Sequence, residues 1–217
     1  MSDYETARNN MVENQLRPSR IFNTRLLDAM GTLPRELFVP KPLRGVAYAD
    51  EDIPLAGRGF LVEPLALAKL IQAAEIGPEN VVLVIGDGTG YAGAVVSRLA
   101  ATVFLLLPPA APSGEVERLL NELGCENVVI QHGLPAQGLP DQAPFDVVLL
   151  VGSVDRVPPA LMEQLAQHGR LVTVVEERHS GRVTVCERVG NAYGRAVPFD
   201  AHLPRLPGLP VAQPFEL

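Results

Sequence analysis

Apolar residues near the start of the chain recur at helical spacing. Tyr4, Ala7, Met11 and the pair Gln15-Leu16 fall on one face, and Pro18 follows, so a helix is predicted over 4–16. A shorter one is predicted over 24–31, with Leu26, Leu27 and Met30 apolar and Gly31 at its end. Residues 34–58 hold four prolines and several charges and read as an irregular surface stretch. A third helix is predicted over 64–75. Pro64 suits its first turn, and Leu67, Leu70, Ile71 and Ala74 form its apolar stripe.

From residue 80 the pattern changes. Apolar runs at 81–85, 102–107, 127–130, 145–151 and 170–175 predict strands. Helical stretches at 91–99, 114–123 and 158–166 lie between them; Val116, Leu119, Leu120 and Leu123 share one side of the second. Runs apolar on both faces, alternating with helices, predict a parallel sheet covered on both sides, an α/β three-layer sandwich. Two more strands, near 182–188 and 193–198, can pair through a turn at Gly190-Asn191. The stretch 203–217, with four prolines, is predicted to be extended.

Composition narrows the classes. The 217 residues suit one domain with short extensions. With 47% hydrophobic and 20% charged residues, the balance is that of a globular protein. The net charge is −7 and no long basic stretch occurs, so no nucleic-acid partner is expected. Cys125 and Cys186 form no CxxC and are too few thiols for a zinc site, so no metal is expected. The polar start Met1-Ser2-Asp3-Tyr4-Glu5 lacks the pattern of a signal peptide, and no apolar run approaches the ~20 residues that span a bilayer. A cytoplasmic protein without a membrane partner is expected. The oligomeric state is not readable.

The clearest motif is Gly86-Asp87-Gly88-Thr89-Gly90-Tyr91, directly after an apolar strand and before a helix. In open α/β sheets ligands bind at the carboxyl ends of strands. Glycines there admit a close approach, and helix-start amides favour a negative group such as a carboxylate. No Gly-Lys-Ser/Thr follows, which excludes the P-loop. Tyr91 stands where the dinucleotide pattern GxGxxG has its last glycine. A GxGxG turn after a strand is the pattern of S-adenosylmethionine enzymes; a tight strand-to-helix turn without a ligand is the competing reading.

Further segments resemble the protein-L-isoaspartate O-methyltransferase family. They are Met11-Val12-Glu13-Asn14-Gln15-Leu16-Arg17, Pro34-Arg35-Glu36-Leu37-Phe38-Val39-Pro40, Ala47-Tyr48 and Asp52-Ile53-Pro54-Leu55. Ala143-Pro144-Phe145-Asp146, Gln164-Leu165 and Gly169-Arg170-Leu171 continue the family's order over nearly the whole chain. The resemblance implies a Rossmann-like methyltransferase fold. Its sheet would have seven strands, mostly parallel, with one antiparallel. The chain would form a single domain over 1–217. Within it, 1–78 would be a helical and loop region and 79–217 the core with the C-terminal strands. It also implies S-adenosylmethionine as cofactor and a protein or peptide carrying L-isoaspartate as methyl acceptor.

The departures from the family concentrate where its chemistry lies. Glycine-loop positions 86–91 are kept. The family's acid two residues before the first glycine is Val84 here, and the acid ending the second strand corresponds to Leu106, within one residue. The acid after the His-Gly of the third strand is Leu134. In the substrate segment, Gly59-Phe60-Leu61-Val62-Glu63-Pro64 replaces the family's threonine and serine by Phe60 and Val62. Cofactor binding is therefore predicted to be weak or lost. Asp87 either faces the cofactor or serves the helix start, and the second is favoured. Glu63 reads as a helix-start carboxylate and Asp146 as structural. His132 and His179 have no placeable partner acid, and Asp155 and Arg156 read as surface charge. No catalytic residue is assigned.

Two functions compete. One is an active carboxyl O-methyltransferase on L-isoaspartyl residues. The other, slightly favoured on the chemistry, is a non-catalytic relative, a pseudoenzyme. A dinucleotide-dependent oxidoreductase fails on Tyr91 and on the missing ribose acid.

Overall fold

In the computed structural model, which describes residues 3–177 and 180–209, the first predicted helix has two parts. Helix α1 covers Asp3–Asn10, and Met11–Leu16 continues it as a π-helical turn. The wider turn carries Met11, Val12 and Leu16 inward, and the Gln15 amide donates to the Tyr48 carbonyl at 2.9 Å. Helix α2 (Thr24–Thr32) is capped by Asn23, whose side chain accepts from the Leu26 amide. The stretch predicted as irregular holds 3₁₀ turns at Arg35–Phe38 and Lys41–Val46. It also holds the first strand of a small hairpin, β1 (Ile53–Leu55) against β2 (Gly59–Leu61). Helix α3 (Pro64–Ala74) matches its prediction and buries Leu67, Leu70, Ile71 and Ala74.

The core strands are β3 (Val81–Ile85), β4 (Thr102–Leu107), β5 (Val128–His132), β6 (Phe145–Val154), β7 (Leu165–Glu177), β8 (Ser180–Val189) and β9 (Ala192–Asp200). Their order across the sheet is β5-β4-β3-β6-β7-β8-β9. The first five are mutually parallel, and β8 runs against both its neighbours. The expected seven-stranded sheet with one reversed strand is therefore what the chain forms. Helices α4 (Tyr91–Ser97) and α5 (Gly114–Glu122) join α3 on one face, where Val82, Val84, Leu105 and Leu107 point. The other face, with Leu83, Ile85, Leu106 and Leu150, is thinly covered by α6 (Pro159–Glu163) and a 3₁₀ turn at Pro140–Gln142.

The predicted helix over 158–166 is thus shorter than expected. The Gln164 side chain leaves the helix pattern, accepting from the Leu139 amide and donating to the Gln137 carbonyl. Its backbone carbonyl takes the Phe145 amide, so Leu165 already belongs to β7. Asp146 ties two strand starts together by accepting from the Val81 amide at 2.8 Å, the structural role expected of it.

Beyond β9 the chain turns back over the carboxyl ends of the central strands. The Ser153 amide donates to the Pro204 carbonyl at 2.8 Å, and the Leu206 amide donates to the Ser153 carbonyl at 2.9 Å. This piece is extended, as predicted, through Leu206 and then turns at 207–209; residues 210–217 lie outside the described residues. Leu206 is buried against Gly86 and Gly152, where any Cβ would overlap its side chain. Leu206→Ala removes that packing. Urea unfolding should show a loss of about 2–4 kcal/mol.

Candidate functional site

The glycine turn lies where the pattern placed it, at the carboxyl end of the central strand β3. Its chemistry is directed inward. Asp87 is buried, and its Oδ1 accepts from the Thr89 amide at 3.2 Å, the Thr89 hydroxyl at 2.6 Å and the Gly90 amide at 3.0 Å. Its Oδ2 accepts from the Gly93 amide at 3.0 Å. The Thr89 hydroxyl in turn accepts from the Tyr91 amide. A helix start offers unsatisfied amides to an anion; here the anion is the chain's own Asp87. The favoured reading of Asp87, as a cap, is the one the geometry supports.

The glycines have internal neighbours as well. Gly86 has φ +92° and faces the Leu206 side chain. Gly88 lies against the Arg58 carbonyl in the β1–β2 turn, so that a Cβ would overlap the backbone there. The hairpin and the C-terminal stretch thus both rest on the glycine turn.

Beside the turn opens a cavity of about 300 Å³, between the ends of β3 and β4. Its walls include Ile85, Gly86, Gly88, Leu106, Pro108, Pro135 and Leu206, with Arg58 at one side. Among the described residues no carboxylate lines it. Of the three positions predicted to have lost an acid, only Leu106 is in its wall. It also packs beside Gly133. Its neighbour Leu107 is buried on the opposite face, so a shift of one residue supplies no acid either. Val84 is fully buried on the face that α4 covers. Leu134 is half exposed and lies outside the cavity wall; Pro135 takes its place there. Of the segment 59–64, matched to the family's substrate segment, Gly59 lines this cavity, while Phe60, Leu61 and Val62 are not in its wall. Leu61 and Val62 are buried in the core, and Phe60 is half-buried in β2 opposite Pro54.

A buried charge that the sequence did not reveal as special joins these parts. Arg35 is inaccessible to solvent. Its Nε donates to the Ala47 carbonyl at 2.6 Å and its Nη2 to the Val62 carbonyl at 2.5 Å, while the guanidinium stands 4.8 Å over the Tyr91 ring. Burial pulls its pKa down, opposed by Tyr91, Tyr48 and Asp87. Tyr91 is also fully buried, and burial pushes its phenol up, opposed by Arg35. Among the described residues Arg35 Nη1 and the Tyr91 hydroxyl have no well-formed hydrogen bond to another group and interact with each other's side chain. Next to Arg35, Glu36 is bonded by the Tyr48 hydroxyl and paired with Arg8 at 3.5 Å. The signal for this cluster was the motif around Arg35 itself, but an arginine in a proline-bounded stretch reads first as surface charge.

The remaining candidates are dispersed. Glu63 stands at the N-cap position of α3 but makes no capping bond. Asp52 and Asp50 do that work, accepting from the Glu63 and Leu65 amides, so the expected helix-start carboxylate is supplied by its neighbours. His132 is exposed and bonds the Ala111 carbonyl. Asp155 is paired with Arg205, and Arg156 is exposed. His179 lies outside the described residues. Both cysteines are free and buried. Among the described residues no three metal-ligating side chains gather, and no helix is long and apolar enough to cross a membrane.

Comparison with known proteins gives a consistent picture. The model of the family described as Protein-L-isoaspartate(D-aspartate) O-methyltransferase (PCMT) matches residues 6–197. The protein-L-isoaspartate O-methyltransferase of Koribacter versatilis is 39% identical over 81% of this chain and 79% of its own length. That of Roseiflexus castenholzii is 38% identical over 87% and 86%. Among solved structures, a protein-L-isoaspartate O-methyltransferase superposes with a TM-score of 0.79 at 23% identity, covering 91% of this chain and 65% of that one. A beta-aspartate methyltransferase (PCMT) from Plasmodium falciparum, in complex with S-adenosyl-L-homocysteine, gives 0.75 at 16%, covering 95% and 99%. At such identities the structural likeness speaks for the fold.

Burial first, then Asp50 and Asp52, push the Glu63 carboxyl up to about 7 from its ordinary 4.5. The folded chain therefore favours the neutral acid, and stability is lost as pH rises from 4.5 through about 7. Glu63→Gln should melt at the parent's temperature near about pH 4 and above it near about pH 8. Thermal scans of both proteins at the two pH values check the sign.

Proposed function

The chain belongs to the protein-L-isoaspartate O-methyltransferase family, and we propose that within it this member has largely lost S-adenosylmethionine binding and carboxyl methylation. S-adenosylmethionine is the family's methyl donor. Its ammonium group and ribose diol are hydrogen-bond donors, the kind of group that carboxylates accept from. The observation that carries the proposal is a cavity beside the glycine turn with no carboxylate among the described residues of its wall. Asp87, the one acid of the turn, already holds four donors of its own loop. The residues present do not fit the cofactor.

Magnitudes support the same reading. A hydrogen bond to a charged group contributes about 1.5–3 kcal/mol. Losing two such acids costs about 3–6 kcal/mol, or roughly a hundred- to ten-thousandfold in affinity. Rate suffers too, because methyl transfer depends on alignment of nucleophile, methyl carbon and leaving sulfur. On the acceptor side, Phe60 and Val62 offer no hydroxyl to an isoaspartyl carboxylate, and the Val62 carbonyl is engaged by Arg35. An unpaired carboxylate held against apolar groups goes uncompensated.

Titration calorimetry with S-adenosylhomocysteine should give a dissociation constant weaker than about ten micromolar, on the order of −7 kcal/mol. Leu106→Glu, which returns an acid to the cavity wall, should tighten it at least about tenfold. Tight binding by the unaltered chain would refute the proposal.

Isoaspartyl peptides give the second check. A radiolabelled methyl-transfer assay should show no turnover above background. Robust labelling would make the chain an active carboxyl methyltransferase.

A further inference from the structure

Both kinds of charge handle near the cavity beside the glycine turn are engaged inside the chain. The amides of Thr89, Gly90 and Gly93, which would favour an anion, are held by the Asp87 carboxylate. Asp87, which would favour a cation, is buried under those bonds. Arg58 borders the cavity, but its guanidinium donates to Glu115, which lines the adjoining cavity with Leu37, Phe38 and Leu55. Among the described residues the other side chains of the wall are apolar, including Ile85, Leu106, Leu206, Pro108 and Pro135. The prolines fix their own φ, so this wall is formed in advance and needs little ordering when a ligand enters. Size narrows the ligand further. An apolar cavity of roughly 150 Å³ holds one benzene ring. The space here is about 300 Å³, which suits two fused rings.

We propose that this cavity binds an uncharged, mainly apolar molecule of two fused rings. A charged ligand would lose its hydration against leucine and proline with no partner to offset the loss. An apolar ring system gains with each part of its surface that leaves water. The inference rests on the reading that the cavity no longer serves S-adenosylmethionine, and adds the class of ligand that fits in its place.

The test is titration calorimetry of the full chain with three ligands that share one body. These are 2-naphthol, uncharged in neutral buffer, the anion 2-naphthoate and the cation 2-naphthylmethylammonium. One-site binding of 2-naphthol is expected, with each charged congener at least about tenfold weaker. Ala111→Trp, at a half-buried wall residue, should fill the space and abolish binding. Ala56→Trp, at an exposed residue that lines the adjoining cavity and not this one, should leave the affinity unchanged. The two together separate this cavity from its neighbour and from apolar surface at large. Thermal scans show that each variant is folded, and Leu106→Trp fills the same space from β4 if Ala111→Trp does not fold. No binding of 2-naphthol, charged congeners that bind as tightly, or binding that survives in a folded Ala111→Trp would overturn the ligand and leave the proposed function standing. So would binding lost in a folded Ala56→Trp. Displacement of 2-naphthol by micromolar S-adenosylhomocysteine would overturn both.

Discussion

A guanidinium without water organises this molecule. Arg35 sits in the N-terminal region, yet it bonds the carbonyl of Ala47, bonds the carbonyl of Val62 and covers the ring of Tyr91 at the start of α4. Removing a buried charged partner typically costs several kcal/mol, because what remains is left unpaired. Three segments far apart in sequence are thus held against one charge. The N-terminal helices, the substrate segment and the glycine turn keep their mutual positions through it. Asp87, among the groups that oppose the pull of burial on Arg35, carries the negative charge on the glycine-turn side.

Much of this architecture was legible because burial on both faces writes a continuous apolar run. The strands at 81–85 and 102–107 were readable to the residue, and so was the stripe of α3. The β1–β2 hairpin was not, because three-residue strands carry no periodicity. The helix ending at Glu163 was overextended because only the tertiary partners of Gln164 reveal the stop. At the site, residue type was readable and burial was not. Leu106 and Leu134 look alike in sequence, yet one is in the cavity wall and the other is half exposed. Arg35 was read as one charge among others for the same reason.

The glycine turn shows how packing inside the chain can demand the same residues as a ligand would. A glycine that lets a ligand approach can also be required by the protein's own packing. Gly86 must leave room for Leu206 and Gly88 for the Arg58 carbonyl. Packing alone therefore calls for glycine at both positions. Of the positions at which the family's acids were expected, Val84 belongs to the core on the helix-covered face, where an apolar side chain packs at least as well as a carboxylate, and Leu106 lies in the cavity wall on the other face.

The stretch that crosses Ser153 and lays Leu206 on Gly86 is made after every strand of the sheet. A chain growing on the ribosome can pair β3, β4 and β6 before residues 203–209 have left the exit tunnel. Until then the apolar ends of those strands and the bare glycine turn face the cell. Chains grow at about 5–20 residues per second, and exposed apolar surface in that interval invites association. Closing this surface is therefore a timing problem as well as a packing one. The stretch after β9 covers the surface that a chaperone would otherwise have to cover.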